Sequence, residues 1–246
     1  MRLTGKTAIV TGAGSGFGAG IARRFAAEGA RVMVADINSG AAEAVAAEIG
    51  GIAQRVDVSM AESVAELATL AEHGLGGVDI LVNNAGVTHA PAALEDVTEA
   101  DFDRVFAVNC KSVYLTACAL VPAMKARGAG AILNVASTAG LSPRPRLNWY
   151  NASKGWMVTA TKAMAVELAP AGLRVNAICP VAGETPLLKS FLGEDTPEMR
   201  AKFLATIPIG RFSTPEDMGN AAVFLCSDEA SMITGVALEV DGGRCI

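Results

Sequence analysis

Apolar positions along the chain fall into two alternating rhythms. Short runs rich in Val, Ile and Leu, at 7–10, 31–35 and 78–82 with a weaker one near 52–56, are separated by Ala-rich stretches at 19–29, 41–49 and 61–71. Runs of the first kind read as strands buried on both faces. The stretches between them, with apolar residues such as Ile21, Ala22, Phe25 and Ala26 at helical spacing, read as helices. The rhythm continues with a long helix over 101–125, whose apolar side holds Phe102, Val105, Phe106 and Val113. A strand over 131–136, a helix over 149–171, a strand over 174–179 and a last strand over 236–240 follow. Strands alternating with helices in this way predict a parallel, doubly wound α/β sheet with helices on both faces, in which a ligand lies beyond the carboxyl ends of the strands. Residues 183–212 break the rhythm, with Pro186, Pro197 and Pro208 among several charges.

Composition narrows this picture. The 246 residues show no compositional break, which predicts one domain over 1–246, and the balance of 51% apolar, 18% charged and 5% aromatic residues predicts a core of Ala, Val, Leu and Ile. Twenty basic against 25 acidic residues give a net charge of -5. Neither sign forms a long run, which argues against nucleic acid and membranes as partners. Cys110, Cys118, Cys179, Cys226 and Cys245 form no C-x-x-C pair, and only His73 and His89 could join them as ligands. No metal site or disulfide framework is expected, and reduced thiols fit a cytoplasmic protein. The first residues lack a signal peptide's apolar segment, and no apolar run approaches membrane-spanning length.

Candidate chemistry gathers at the predicted strand ends. The first strand ends at Thr11 and passes at once into Gly12-Ala13-Gly14-Ser15-Gly16-Phe17-Gly18, followed by a helix. Glycines there let the backbone turn tightly and approach a pyrophosphate, while the helix start offers unpaired N–H groups to its charge. The second strand ends at Asp36, twenty residues after Gly16, where an acid accepts hydrogen bonds from the adenosine ribose hydroxyls. That carboxylate would repel a 2′-phosphate, and Ser15 and Ile37, the positions that could attract one, are not basic. NAD is therefore predicted over NADP. Asp57 and Val58 close the third strand, where a side chain and a backbone N–H could meet the adenine, and Asn83-Asn84-Ala85-Gly86 closes the fourth.

Tyr150 and Lys154 stand four residues apart, so a phenol and an ammonium share one helix face. A nearby cation favours the phenolate, and Ser137 at the end of the preceding strand could hold the oxygen that exchanges the proton. Taken alone, the spacing is equally that of an ordinary exposed tyrosine and lysine. The combination of Thr11-Gly12-x-x-x-Gly16-x-Gly18, Asn83-Asn84-Ala85-Gly86, Asn109, Ser137, Tyr150-x-x-x-Lys154 and Pro180 through Thr185 resembles the compact subclass of the short-chain dehydrogenase/reductase family across essentially the whole chain.

The resemblance implies a single Rossmann-like domain with seven parallel strands, a homotetramer or homodimer, and an NAD-dependent exchange of hydride between an alcohol and a carbonyl carbon of a small-molecule substrate. It implies Tyr150 as general acid/base and Lys154 as the cation that lowers its pKa and binds the nicotinamide ribose. Ser137 would hold the substrate oxygen, and Asn109 a water in a proton relay. Gly12, Ser15, Gly16, Phe17, Gly18, Asp36, Asp57, Val58, Asn84, Ala85, Gly86, Pro180, Ala182, Gly183 and Thr185 would border the cofactor, Thr185 at the carboxamide. One departure is Val181, where the family often has glycine after the proline.

Residues 183–212 would be the substrate lid, with Leu187, Leu188, Phe191, Leu192 and Phe203 as pocket wall; a packed pair of surface helices would use the same residues. His89, Arg144 and Arg146 are the candidates for contact with the substrate, the two arginines as ligands of a carboxylate or sulfonate. Gly183-Glu184-Thr185-Pro186, Thr88-His89 and Asp241-Gly242-Gly243-Arg244 are similar to members that oxidise aromatic alcohols and aldehydes. Polyol, sugar and 3-oxoacyl substrates stay open. A non-catalytic dinucleotide sensor would not need Asn109, Ser137, Tyr150 and Lys154 together.

Overall fold

The computed structural model describes residues 1–193 and 195–246; Glu194, inside the expected lid, and the side chain of Leu192, expected at the pocket, lie outside the described residues. Seven strands form one parallel sheet: β1 (Thr7–Thr11), β2 (Arg31–Asp36), β3 (Ile52–Arg55), β4 (Ile80–Asn83), β5 (Gly130–Val135), β6 (Leu173–Pro180) and β7 (Ala237–Val240). Their spatial order is β3-β2-β1-β4-β5-β6-β7, so the chain reverses its direction of travel across the sheet between β1 and β4. Ile9 of β1 lies between Met33 of β2 and Leu81 of β4. At such a reversal the connections leave on opposite faces and open a crevice above the strand ends.

The helices divide between the faces. On one side α1 (Gly16–Ala27), α2 (Ser39–Ile49) and α9 (Pro215–Cys226) cover a core that includes Ile21, Phe25, Val45 and Met218. On the other, α3 (Ala61–Leu75), α5 (Ser112–Arg127) and α6 (Asn148–Leu168) close over Leu67, Leu81, Met124 and Leu168. Each such fully buried large side chain contributes roughly 1.5–3 kcal/mol of transfer free energy, which is what holds the layers on the sheet. A buried polar chain runs through the sheet. Thr116 of α5 donates to Asn83 Oδ1, Asn83 Nδ2 to Asn134 Oδ1, and Asn134 Nδ2 to Thr161 of α6, each at 2.9 Å.

Three expectations change. Helix α9 carried no sequence reading, although Thr214 and Asp217 form a reciprocal capping box at its start, a recognisable helix-entry signal. The long helix over 101–125 is three pieces: α4 (Glu99–Phe106), a wide turn of π-helix at Ala107–Lys111, and α5. Together they span Glu99–Arg127, which does reach the length and hydropathy of a bilayer-crossing helix, contrary to the reading of the apolar runs. Half of its most apolar window is buried in this molecule. Within the expected lid, α7 (Leu188–Leu192) and α8 (Pro197–Leu204) surround a small core of their own, with Val181, Leu188, Phe203, Ile207 and Phe212.

Candidate active site

A cleft of about 450 Å³ opens above the carboxyl ends of the strands at the reversal point. Its floor is the turn between β1 and α1. Ser15 stands at the N-cap of α1 with no side-chain cap bond, so the first-turn N–H groups are left to whatever occupies the cleft, as a bound pyrophosphate requires. Gly18 is obligatory for packing: a Cβ there would lie 2.2 Å from the Gly12 carbonyl oxygen and 2.4 Å from Asn84 Nδ2. Asn84 in turn donates to the carbonyls of Thr11 and Gly12 at 2.8 and 3.0 Å, which ties the end of β4 to the glycine turn.

Asp36 closes one end of the cleft. Its carboxylate accepts the Gly14 N–H and the Asn38 N–H, both at 2.9 Å, so the acid orders the turn as well as facing the cleft. Asp57 borders the same end, with Oδ1 taken up by the Ser59 backbone and hydroxyl at 3.0 and 2.6 Å. Those bonds hold its pKa below the ordinary carboxylate value. Ile37, Val56 and Val58 complete this end; among the described residues no lysine or arginine lines it, and Arg55, the sheet partner of Asp36, is exposed beside it and acts on Asp57.

The other end holds the titratable set. Ser137 follows β5, and its Oγ accepts the Ala139 N–H at 3.1 Å, starting a short turn at Thr138–Gly140. That turn lies directly on α6, because a Cβ on Gly140 would come within 2.7 Å of the Lys154 backbone. The close approach places Ser137 beside Tyr150. Burial pushes the Tyr150 hydroxyl up to about 12, and a hydrogen bond with Ser137 and the charge of Arg144 pull it back. Lys154 is pushed down to about 8 by its own burial. Its Nζ donates to the Val135 carbonyl at 2.8 Å and lies 6.0 Å from the Tyr150 ring centroid. Arg144 thus brings a second cation near the phenol, besides Lys154.

Asn109 is fully buried in the π turn and borders the site from behind. Its amide accepts the Val87 N–H and donates to the Val87 carbonyl, both at 2.9 Å, and also donates to Ser153 at 3.0 Å. The side chain therefore clamps the segment after β4 to α6. Of the residues expected around a cofactor, all except Gly18 line the cleft. Arg144 and Leu187 line it too. His89 lies outside it, buried, with Nδ1 against the Ala90 carbonyl at 2.8 Å. Arg146 also lies outside, exposed, in a left-handed backbone conformation with φ 67°. Leu147 was missed by the sequence reading: it lines the pocket three residues before Tyr150 and packs on it together with Phe191, whose ring centroid is 5.2 Å from that of Tyr150.

A family model described as enoyl-(acyl carrier protein) reductase matches residues 12–244. The chain is 48% identical to 4-formylbenzenesulfonate dehydrogenase of Comamonas testosteroni, with 100% of both chains covered. It is 38% identical to 3-oxoacyl-[acyl-carrier-protein] reductase of Thermotoga maritima, again over 100% of both. A crystal structure of 3-ketoacyl-(acyl-carrier-protein) reductase from Brucella melitensis complexed with NADH superposes with a TM-score of 0.95 at 52% identity, covering 99% of this chain and 100% of the other. With the strand order, the glycine turn and the Ser137–Tyr150–Lys154 grouping all in place, these likenesses show that the chain is an oxidoreductase of the short-chain dehydrogenase/reductase family.

Proposed function

We propose that this protein is an NAD-dependent dehydrogenase/reductase that interconverts an alcohol and a carbonyl group on a small substrate, with Tyr150 as the general acid/base. The observation that carries this reading is that Ser137, Tyr150 and Lys154 line the same cleft as the glycine turn and Asp36, so a proton-transfer group and a dinucleotide cradle share one space. The residues fit the cofactor: unpaired N–H groups at the start of α1, a carboxylate at the adenosine end, and no lysine or arginine among the described residues lining that end. Bound nicotinamide would supply the hydride acceptor or donor.

The chain's own residues do the rest. Ser137 holds the substrate oxygen, and Tyr150 takes the hydroxyl proton during oxidation and returns it during reduction. Burial raises the Tyr150 phenol, so at neutral pH it carries the proton that reduction requires. Oxidation is helped by the positive charge of the oxidised cofactor, of Arg144 and of Lys154, which bring the phenolate within reach. Lys154, buried at the foot of α6, would bind the nicotinamide ribose. Asn109 fixes the backbone that flanks it and so serves as a positioning residue.

Relatives named for a formylbenzenesulfonate and for 3-oxoacyl substrates share the alcohol/carbonyl pair, and the former favours a small aromatic alcohol or aldehyde. Tyr114 and Val166 leave large apolar surface exposed on α5 and α6, which supports a homotetramer or homodimer built on those helices. The test is reduced-nicotinamide absorbance with a panel of alcohols, aldehydes and ketones. Turnover is expected with NAD(H), and Tyr150→Phe should lower it by about 10²–10⁴-fold. A Tyr150→Phe enzyme as active as the parent would defeat the assignment.

A further inference from the structure

Six arginines among the described residues are partly buried: Arg2, Arg24, Arg144, Arg174, Arg200 and Arg244. Four of them are matched. Arg2 and Arg24 reach Glu28 at 3.1 and 3.2 Å, Arg200 pairs with Asp195, and Arg174 donates to the carbonyls of Leu225 and Ser227 at 2.7 and 3.0 Å. Arg144 and Arg244 are the exceptions. No carboxylate or carbonyl among the described residues receives a hydrogen bond from the Arg144 guanidinium. Its Cζ stands 3.7 Å from the centroid of the Phe203 ring, on the lid side of the cleft. Arg244 has a buried Nε with no partner.

The two charges are neighbours. Arg144 is lowered to about 10, by burial first and then by the charge of Arg244; Tyr150 and Cys245 act in the other direction, and no carboxylate acts on it. A guanidinium offers five N–H donors in a fixed fork, and leaving them unpaired while holding a second cation nearby is unfavourable unless an anion completes the group. The surroundings keep the pair in place. The Asn151 amide donates to the Arg144 carbonyl at 2.7 Å, one residue beyond Tyr150 on α6. The tail after β7 is fixed by Asp241, which accepts the N–H groups of Gly243 and Cys245 at 2.9 and 2.8 Å, and by the Ile209 N–H, which donates to Gly242 at 3.1 Å. The space between Arg144 and Tyr150 is walled by Leu147, Phe191 and Phe203, so an apolar body fits between an anion at one end and a reacting carbon at the other.

We propose that Arg144, backed by Arg244, is the anion-binding subsite for the substrate, and that the substrate is a small alcohol or carbonyl compound bearing a carboxylate or sulfonate on the lid side of the pocket. This rests on the dehydrogenase reading of Tyr150. It replaces the sequence pairing of Arg144 with Arg146, whose side chain is exposed and outside the cleft.

The test has a turnover arm and a binding arm. Initial rates with NAD are measured for 4-(hydroxymethyl)benzoate and 4-(hydroxymethyl)benzenesulfonate against benzyl alcohol, and for 3-hydroxybutyrate against 2-butanol. The parent should prefer the anionic member in at least one pair, and the two benzyl anions separate carboxylate from sulfonate. In Arg144→Ala the anionic-to-neutral ratio of kcat/KM should fall about 10–100-fold, with a smaller fall in Arg144→Lys and Arg244→Ala. A parent without preference, or a ratio shifted by less than about threefold in Arg144→Ala, overturns the proposal; so does a loss of NADH affinity matching the fall, since Arg144 would then serve the cofactor.

Calorimetric titration of benzoate, benzenesulfonate and neutral benzamide into the NADH complex decides the matter even if no alcohol is turned over. Anion binding that disappears in Arg144→Ala supports the subsite while the dehydrogenase reading fails, and equal binding of all three overturns it. Should Arg144→Ala not fold, as judged by its melting temperature, Arg144→Lys and Arg244→Ala carry both arms.

Discussion

Replacing Asp36 by Asn tests the cofactor end of the cleft by removing a charge at nearly constant shape. In the proposed reading the carboxylate would face an adenosine ribose; among the described residues no cation lines that end of the cleft, and the neighbouring Arg55 is exposed. Two unit charges about 4 Å apart repel by roughly 1 kcal/mol in water and about 4 kcal/mol at an effective dielectric of 20. A 2′-phosphate carries close to two charges, so even at the watery limit the parent should disfavour NADPH by about 2 kcal/mol, or roughly 30-fold against NADH. Asp36→Asn removes that repulsion and also forfeits one of the two loop bonds, because an amide presents one acceptor oxygen where the Gly14 and Asn38 N–H groups now meet two. The lost bond leaves a donor facing a donor and costs about 1–3 kcal/mol, so NADH should bind more weakly while NADPH changes little. Fluorescence titrations with both dinucleotides at two ionic strengths give the ratio directly, and salt should shrink the parent's discrimination. A parent that binds NADPH as tightly as NADH, or an Asp36→Asn ratio that stays at the parent's value, would refute the reasoning.

Two further predictions concern the buried polar groups. Lys154 has a folded pKa of about 8 against an ordinary 10.5, so between those values the folded chain holds fewer protons at this residue than the unfolded one, and its own contribution to stability rises with pH. Cys110, Cys179, Cys226 and Cys245, pushed up by burial, act in the opposite sense over the same range, so the test is a difference: from pH 8 to pH 10 the urea-unfolding free energy of the parent should change more favourably than that of Lys154→Met by about 2 kcal/mol, and equal changes in both would refute the assignment. Asn134→Leu breaks the chain from Thr116 through Asn83 to Thr161 at its centre and takes a partner from Asn83 Nδ2 and from the Thr161 hydroxyl in a dry core. The Thr161 hydroxyl still donates to the Met157 carbonyl, so only Asn83 Nδ2 is left wholly without a partner. At about 1–3 kcal/mol for that group and about 2–4 °C per kcal/mol, the melting temperature should drop by roughly 2–12 °C, and an unchanged melting temperature would mean that the polar chain is not supporting the sheet.

The sheet was legible because a doubly covered parallel strand cannot hide: the runs at 7–10 and 78–82 have to be apolar on both faces, and the glycine turn has to sit where the first of them ends. The residues expected around a cofactor line one cleft for the same reason, since topology puts every strand's carboxyl end on one rim. What depended on three-dimensional approach was not legible. Lys154 stands one turn from Tyr150 as the i+4 spacing requires, but no spacing records that its ammonium also donates to the Val135 carbonyl or that Arg144 brings a further charge to the phenol. Nor could spacing separate Arg144 from Arg146. The left-handed backbone at Arg146 lies between them, and only the first side chain lines the cleft. Arg244, 100 positions further on, reaches the same region through the lid's contact with the tail, and no local pattern records that.

Val181 shows how chemistry and selectivity are separated in this fold. The position departs from the glycine usual in the family, and the structure gives the departure a use: the buried valine packs with Leu188, Phe203, Ile207 and Phe212 to form a small core for α7 and α8, apart from the two large cores that flank the sheet. Ser137, Lys154 and Asn109 are fixed by the sheet, by α6 and by the π turn, through hydrogen bonds to main-chain groups that no lid residue supplies, and Tyr150 is carried by α6 while its ring packs against Leu147 and the lid's Phe191. Phe203 belongs to both systems, since it fills the lid core and lies beneath the Arg144 guanidinium. A change that repacks the lid core therefore moves the floor of the anion subsite while the proton-transfer group stays where the sheet holds it. Altered substrate choice with intact chemistry is the expected consequence, and one catalytic wall can serve relatives with different substrates by exchanging the few residues that face it.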